Sequence, residues 1–251
     1  MTEETKDLQT TEAGSVARRV GSNGVARGFD DMDESDIKMP RLAILQPTSQ
    51  LVTEGKGRIG DFANSVTKEI IGQKETGVEF IPIFMFKTRV RFEQGKGLVL
   101  SSRDNLLVTF AAEGFEQYMG KPVSEVPGAE WDGKNPPTFH EVYNYLVSLP
   151  SSITSFPICL SLMRTGAAAA KDLNSMARSF NEDFFHRVYR ITCGIESNAK
   201  GTFAVPAIMP VRRSTDTEYK IASDFFEALH HKRDKIDVNL EEEPLASSET
   251  N

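Results

Sequence analysis

The segment Glu79 to Glu93 constrains the fold more than any other stretch of the chain. Its even positions are Phe80, Pro82, Phe84, Phe86, Thr88, Val90 and Phe92. Its odd positions are Ile81, Ile83, Met85, Lys87, Arg89 and Arg91. Successive side chains of a strand point to opposite faces. Read as one long strand, the segment puts its phenylalanines on one face and lines up Lys87, Arg89 and Arg91 on the other. The turn Glu93-Gln94-Gly95-Lys96-Gly97 leads to Leu98-Val99-Leu100, and Leu106–Phe110 reads as a further short strand. This is a meander.

The rest of the body is read from the same signals. Pro40 biases Met39 toward an extended conformation, so residues 36–45 enter as an extended segment. Residues 120–137 hold four prolines and three glycines around Trp131, and read as loop. Thr138 and Glu141 have the spacing of a capping box, which predicts a helix or extended turn closed by Pro150. Pro157–Met163 reads as a strand and Ala167–Phe180 as a helix, with Ala169, Leu173, Met176 and Phe180 on one side. Arg187–Ile195 and Lys200–Val211 form a hairpin, and Asp216–Lys232 a last amphipathic helix. Strands are rarely separated by crossover helices, so a doubly wound parallel sheet is unsuited to this order. The expected class is mainly β with α additions (α+β): an OB-like antiparallel β-barrel elaborated by loops and two helices.

Charge divides the 251 residues into three parts. Residues 1–36 carry nine acids and four bases, and read as a disordered acidic N-terminal segment. Residues 234–251 carry six acids and one base, and read as an acidic C-terminal tail. The net charge of −7 therefore conceals a body, residues 37–233, of charge +3. As a whole the chain repels nucleic acid; its body, taken alone, admits it.

Several chemistries are excluded by pattern. No apolar run approaches the roughly 18–20 residues of a membrane span, and the acidic start resembles neither a secretory signal nor a transit peptide, so a cytoplasmic location is expected. Cys159 and Cys193 read as buried free thiols. His140, His186, His230 and His231 lack finger-like spacing, so no metal site is expected. Gly55-Lys56-Gly57-Arg58-Ile59-Gly60 matches a bare dinucleotide pattern but opens no helix within a βαβ unit. Phosphate-loop, zinc-protease and nucleophile-elbow motifs are absent from the sequence. Neither catalytic residues nor a cofactor is predicted.

A binding surface remains. Lys87, Arg89 and Arg91 can track phosphates, with Lys96 and Arg103 extending the row. Lys171 and Arg178 add charge on the central helix, and Arg164, Arg187, Arg190, Lys200, Arg212 and Arg213 add more. Candidate stacking rings are Tyr143, Tyr145 and Phe203, with Trp131 and Tyr189 beside them.

Short motifs carry a family resemblance. They are Asp36-Ile37 through Pro40-Arg41-Leu42, Leu45-Gln46-Pro47-Thr48-Ser49, Gly60-Asp61-Phe62 and Val78-Glu79-Phe80-Ile81-Pro82-Ile83. Ala169-Ala170-Lys171-Asp172-Leu173 and Asn198-Ala199-Lys200-Gly201-Thr202-Phe203 continue it. Over roughly residues 29–229 the chain resembles phage-encoded single-stranded DNA-binding proteins. The resemblance implies an OB-like core and sequence-independent, non-enzymatic binding of single-stranded DNA in replication or recombination. It also implies that an acidic tail such as Glu241-Glu242-Glu243 recruits replication or recombination proteins. A homo-oligomer is compatible with it. Two alternatives are a structural or host-interaction phage protein that binds no nucleic acid, and a strand-annealing recombinase.

Overall fold

The strand expected over Glu79–Glu93 forms as β4, Val78–Glu93. The computed structural model describes residues 39–93, 97–103, 105–110, 115–131, 133–134, 137–152, 155–199 and 201–235. The expected acidic segment 1–36, residues 236–251 of the expected tail, and the candidate cations Lys96 and Lys200 lie outside the described residues.

β4 organises the larger sheet by pairing with three strands in turn. Val78–Phe80 pair with β9 (Arg187–Asn198), Ile81–Val90 with β7 (His140–Ser148), and Val90–Glu93 with β5 (Gly97–Arg103). β5 pairs in turn with β6 (Leu106–Phe110), completing the expected meander. β7 pairs with β8 (Ile158–Met163), and β9 with β10 (Gly201–Arg213). Every one of these pairings is antiparallel. A smaller antiparallel sheet holds β1 (Leu42–Ile44), β2 (Phe62–Asn64) and β3 (Ile70–Gly72). Among the described residues, three α-helices accompany the sheets: α1 (Gln50–Thr53), α2 (Ala167–Phe180) and α3 (Asp216–Leu229). The α+β class is as expected.

The barrel expectation is corrected. Among the described residues the terminal strands of the larger sheet, β6 and β10, do not pair with each other, so the sheet stays open. Its layers come from helices on faces rather than from closure. Tyr143, Tyr145, Leu160 and Leu162 pack with Ala170 and Leu173 of α2 in one cluster. Ile83, Phe84, Phe86, Val142 and Leu146 pack with Ala222, Phe225 and Phe226 of α3 in another. β7 is thus covered on both faces, and its run from Val142 to Ser148 is buried without alternation. Strands covered on both faces read as continuous apolar runs.

That double coverage corrects the capping box at Thr138. Thr138 Oγ1 donates to the Gly128 carbonyl and the chain runs on as a strand. The box forms elsewhere, at α3. Thr215 Oγ1 accepts from the Glu218 N–H, and the Glu218 carboxylate accepts from the Thr215 N–H at 2.8 Å. α2 ends where Asn181 takes a left-handed conformation, φ 51°, and its N–H donates to the Arg178 carbonyl. β10 carries Pro206 and Pro210, consistent with its place at an edge of the sheet.

Glu218 ties α3 to β10. Its carboxylate accepts from Arg212 Nη1 at 2.7 Å and Nη2 at 2.8 Å, a bidentate pair. The Arg212 guanidinium outweighs partial burial, and with the Thr215 donors it holds the Glu218 carboxyl at about 2, against an ordinary 4.5. A depressed carboxyl stabilises the fold above its unfolded value and loses that contribution as pH falls through its folded value. Glu218→Gln is therefore expected to unfold at lower urea than the parent near neutral pH. The difference should shrink as pH falls from 4.5 toward about 2; a gap unchanged by pH would remove the ionic pair from the account.

Candidate nucleic-acid interface

Register places the three expected cations on one face. Lys87 lies opposite Tyr143, Arg89 opposite Glu141, and Arg91 opposite Leu100. Directly opposed residues of paired strands share a face. Tyr143 belongs to the cluster under α2. Leu100 belongs to a third cluster, with Val123, Val126, Ala129 and Phe139 from the connection before β7. The face is therefore covered by α2 toward β8 and by that connection toward β6. Between the covers lies the outer half of β4, where Lys87 is exposed and Arg89 and Arg91 are half-buried. The Arg91 guanidinium lies 5.3 Å from the Phe115 ring centroid.

The alternation that produces this row is not uniform along β4. Phe80, Ile81, Ile83 and Phe84 are all buried, and the register with β7 shifts between Pro82 and Phe84. From Phe84 onward the even side is buried or half-buried and the odd side more open. The irregularity at Ile83 marks the change from a strand covered on both faces to one with an open face.

Sequence reasoning missed an acid in the middle of the row. Glu141 Oε1 accepts from Lys87 Nζ at 3.0 Å, and Oε2 accepts from the Tyr143 hydroxyl at 2.6 Å. Partial burial pushes the Glu141 carboxyl up, but the Tyr143 and Lys87 hydrogen bonds and the charges of Lys87 and Arg89 outweigh it and hold the carboxyl below its ordinary value. Burial, together with donation to Glu141, pushes the Tyr143 hydroxyl up to about 12. Lys87 Nζ also sits 4.7 Å from the Tyr143 ring centroid. Glu141 could have been found by asking which residue of the paired strand faces Arg89, but only once residues 140–148 are read as a strand.

Other expected residues part company with the row. Arg103 stacks over Phe86, 5.1 Å to the centroid, and its Nη1 donates to the Arg233 carbonyl at 2.6 Å. Phe86 belongs to the α3 side, so Arg103 leaves the Lys87 face. Lys171 and Arg178 lie exposed on α2, away from buried Ala170 and Leu173. Arg187 and Arg213 both pair with Glu182, Arg190 with Glu79, and Arg212 with Glu218, so these four tie elements together. Arg164 lies over the Phe92 ring.

The expected stacking rings are corrected by burial. Tyr145 is fully buried, its hydroxyl 3.0 Å from both the Ala170 carbonyl and Asn174 Oδ1 with one proton to donate between them. Tyr143 is 4% and Tyr189 1% exposed. Such rings have no free π-face for a base. Phe203 is half-buried near the β9–β10 turn. The open rings are Trp131, 62% exposed, and Phe156, 55% exposed; Phe156 was missed because nothing in its local pattern separates it from core.

A cavity of about 300 Å³ opens beside the row, lined in part by Lys87, Arg89, Ser102, Asn105, Glu141 and Arg233. Cys159 and Cys193 are free and buried, and burial pushes their thiols up to about 11 and about 12. Thiolate chemistry is disfavoured at such values. Among the described residues no group of three or more His, Cys, Asp or Glu is placed to hold a metal ion, and no helix is long and apolar enough to cross a membrane.

The described residues thus define an α+β protein with open antiparallel sheets and a cation-bearing strand face. Residues 10–235 match the family described as Pam3 phage gp34-like protein, and the chain belongs to that family. The match supports the expectation of a bacteriophage protein. No curated protein and no solved structure matches the chain.

Tyr143→Phe keeps the packing volume and removes the hydroxyl donated to Glu141. The Glu141 carboxyl is then expected to titrate at higher pH, followed by NMR of its side-chain carbon; an unchanged titration would mean that the hydroxyl does not support the carboxylate.

Proposed function

We propose that the chain binds single-stranded DNA along the outer half of β4, without sequence preference and without chemical change to the strand. The observation that carries this reading is the row Lys87, Arg89 and Arg91 on one sheet face. Spacing along a strand is about 3.3 Å per residue, so alternate residues repeat at nearly 7 Å. That is on the scale of the backbone repeat of an extended nucleic-acid strand. These cations displace counterions condensed on the phosphates, so the binding falls steeply with salt. A closed OB-like barrel is not needed for this, because an open sheet face offers the same row.

Glu141 sets the opposing term. A phosphate reaching Lys87 competes with a carboxylate already 3.0 Å from it. Base stacking falls to exposed Trp131, with Phe156 a second open ring. Trp131 is the only tryptophan of the chain and reports on that stacking directly.

The triple variant Lys87→Ala, Arg89→Ala, Arg91→Ala is expected to keep its circular dichroism and to flatten the salt dependence of oligo-dT binding. Each phosphate of a single strand left without its cation lowers the slope of log K against log salt by roughly 0.7, so three lower it by about 2. An unchanged slope would sink the assignment of this face. Oligo-dT is also expected to quench Trp131 fluorescence, and Trp131→Ala to weaken binding by about 1–3 kcal/mol. Equal affinity for single strand and duplex would count against a single-strand role.

A second reading, an interaction protein that binds no nucleic acid, is favoured by a different feature. Leu106 and Val108 of edge strand β6 are 42% and 46% exposed, and Met119 is exposed in the segment that hydrogen-bonds to β6 at Leu107. This reading gains if neither oligo-dT nor duplex binds.

A further inference from the structure

β5 joins β4 only from Val90 onward. Just before that point the Arg89 N–H donates to Ser102 Oγ at 3.0 Å instead of to a strand carbonyl. The two strands part there, and the cavity of about 300 Å³ occupies the gap. Its lining is chemically mixed in a specific way. Lys87, Arg89 and Arg233 supply cations. Ser102 and Asn105 supply neutral hydrogen-bonding groups, and Met85 and Phe86 apolar surface.

We propose that this cavity is a mononucleotide site, in which Lys87, Arg89 and Arg233 attract one phosphate and Asn105 addresses the base. The inference rests on reading the β4 cations as phosphate ligands. Size limits the occupant, since about 300 Å³ lies at the lower bound of small-molecule sites. One nucleotide suits that space; a run of several does not. Charge limits it further. Glu141 also lines the cavity, so a single phosphate is favoured over a polyphosphate. An amide presents a donor and an acceptor side by side, the pairing that reads a base edge. Ser102 Oγ accepts from the Arg89 N–H and retains its own proton to donate.

Asn105 also provides a clean test. It has φ 65°, a left-handed conformation that costs a side-chain-bearing residue but not glycine. Its carbonyl accepts from the Val123 N–H at 2.8 Å, a bond that any residue there retains. Asn105→Gly therefore removes the amide and keeps the backbone.

The occupant has two sources, a free nucleotide or one unit of a bound strand. Calorimetry on the full chain with dTMP, thymidine, inorganic phosphate and oligo-dT separates them. We expect dTMP to bind, with thymidine and phosphate each at least about tenfold weaker, and Asn105→Gly to weaken dTMP by up to about tenfold. If that variant weakens dTMP alone, the site serves free nucleotide; if it weakens oligo-dT as well, the site holds part of the strand. Phosphate binding as tightly as dTMP, or dTMP indifferent to Asn105→Gly, overturns the proposal. Oligo-dT binding without dTMP binding overturns it and leaves the strand-binding reading intact. Absence of binding to all four probes removes both.

Discussion

Everything in the larger sheet depends on β4 changing its surroundings midway. Its first half is buried on both faces and carries Phe80, Ile81 and Ile83 into separate packing clusters. Its second half keeps one face buried and opens the other. Buried apolar side chains contribute roughly 1.5–3 kcal/mol each relative to exposure. The first half can therefore anchor the strand firmly enough to hold like charges side by side further along. Lys87, Arg89 and Arg91 repel one another, and a strand without that anchor would relieve the repulsion by fraying or turning. The register shift near Ile83 is where one requirement gives way to the other.

Much of this was legible in the sequence, and the limits have physical causes. Period-two alternation from Phe84 to Arg91 located the strand and the cation row, because one face is buried and the other wetter. Helix α2 was legible to the residue, since its apolar side repeats at helical spacing and Asn181 follows it. β7 was not. With α2 on one face and α3 on the other, its side chains from Val142 to Ser148 are buried on both sides, Asn144 among them, and lose the alternation that identifies a strand. The Thr138–Glu141 spacing then imitated a helix start, while the true box waited at Thr215. Barrel closure was equally illegible, because pairing between strands distant in sequence leaves no local signature.

The same misreading hid the site's main complication. Local sequence places Glu141 next to His140 and far from Lys87; the β4–β7 register brings the carboxylate to the lysine. Tyrosines 143 and 145 suffered likewise. Aromatic residues in an apparent helix of mixed polarity read as available, whereas both rings fill the layer under α2. Exposed aromatic surface is set by tertiary packing, and Trp131 and Phe156 emerge only once that packing is known.

The two prolines of β10 have a consequence for assembly. Pro206 and Pro210 are an even number of residues apart, so both lacking N–H groups fall on the same side of the strand. A second chain laid alongside that margin would find two rungs of its ladder missing. Extension of the sheet by a neighbouring strand is thereby disfavoured along this border.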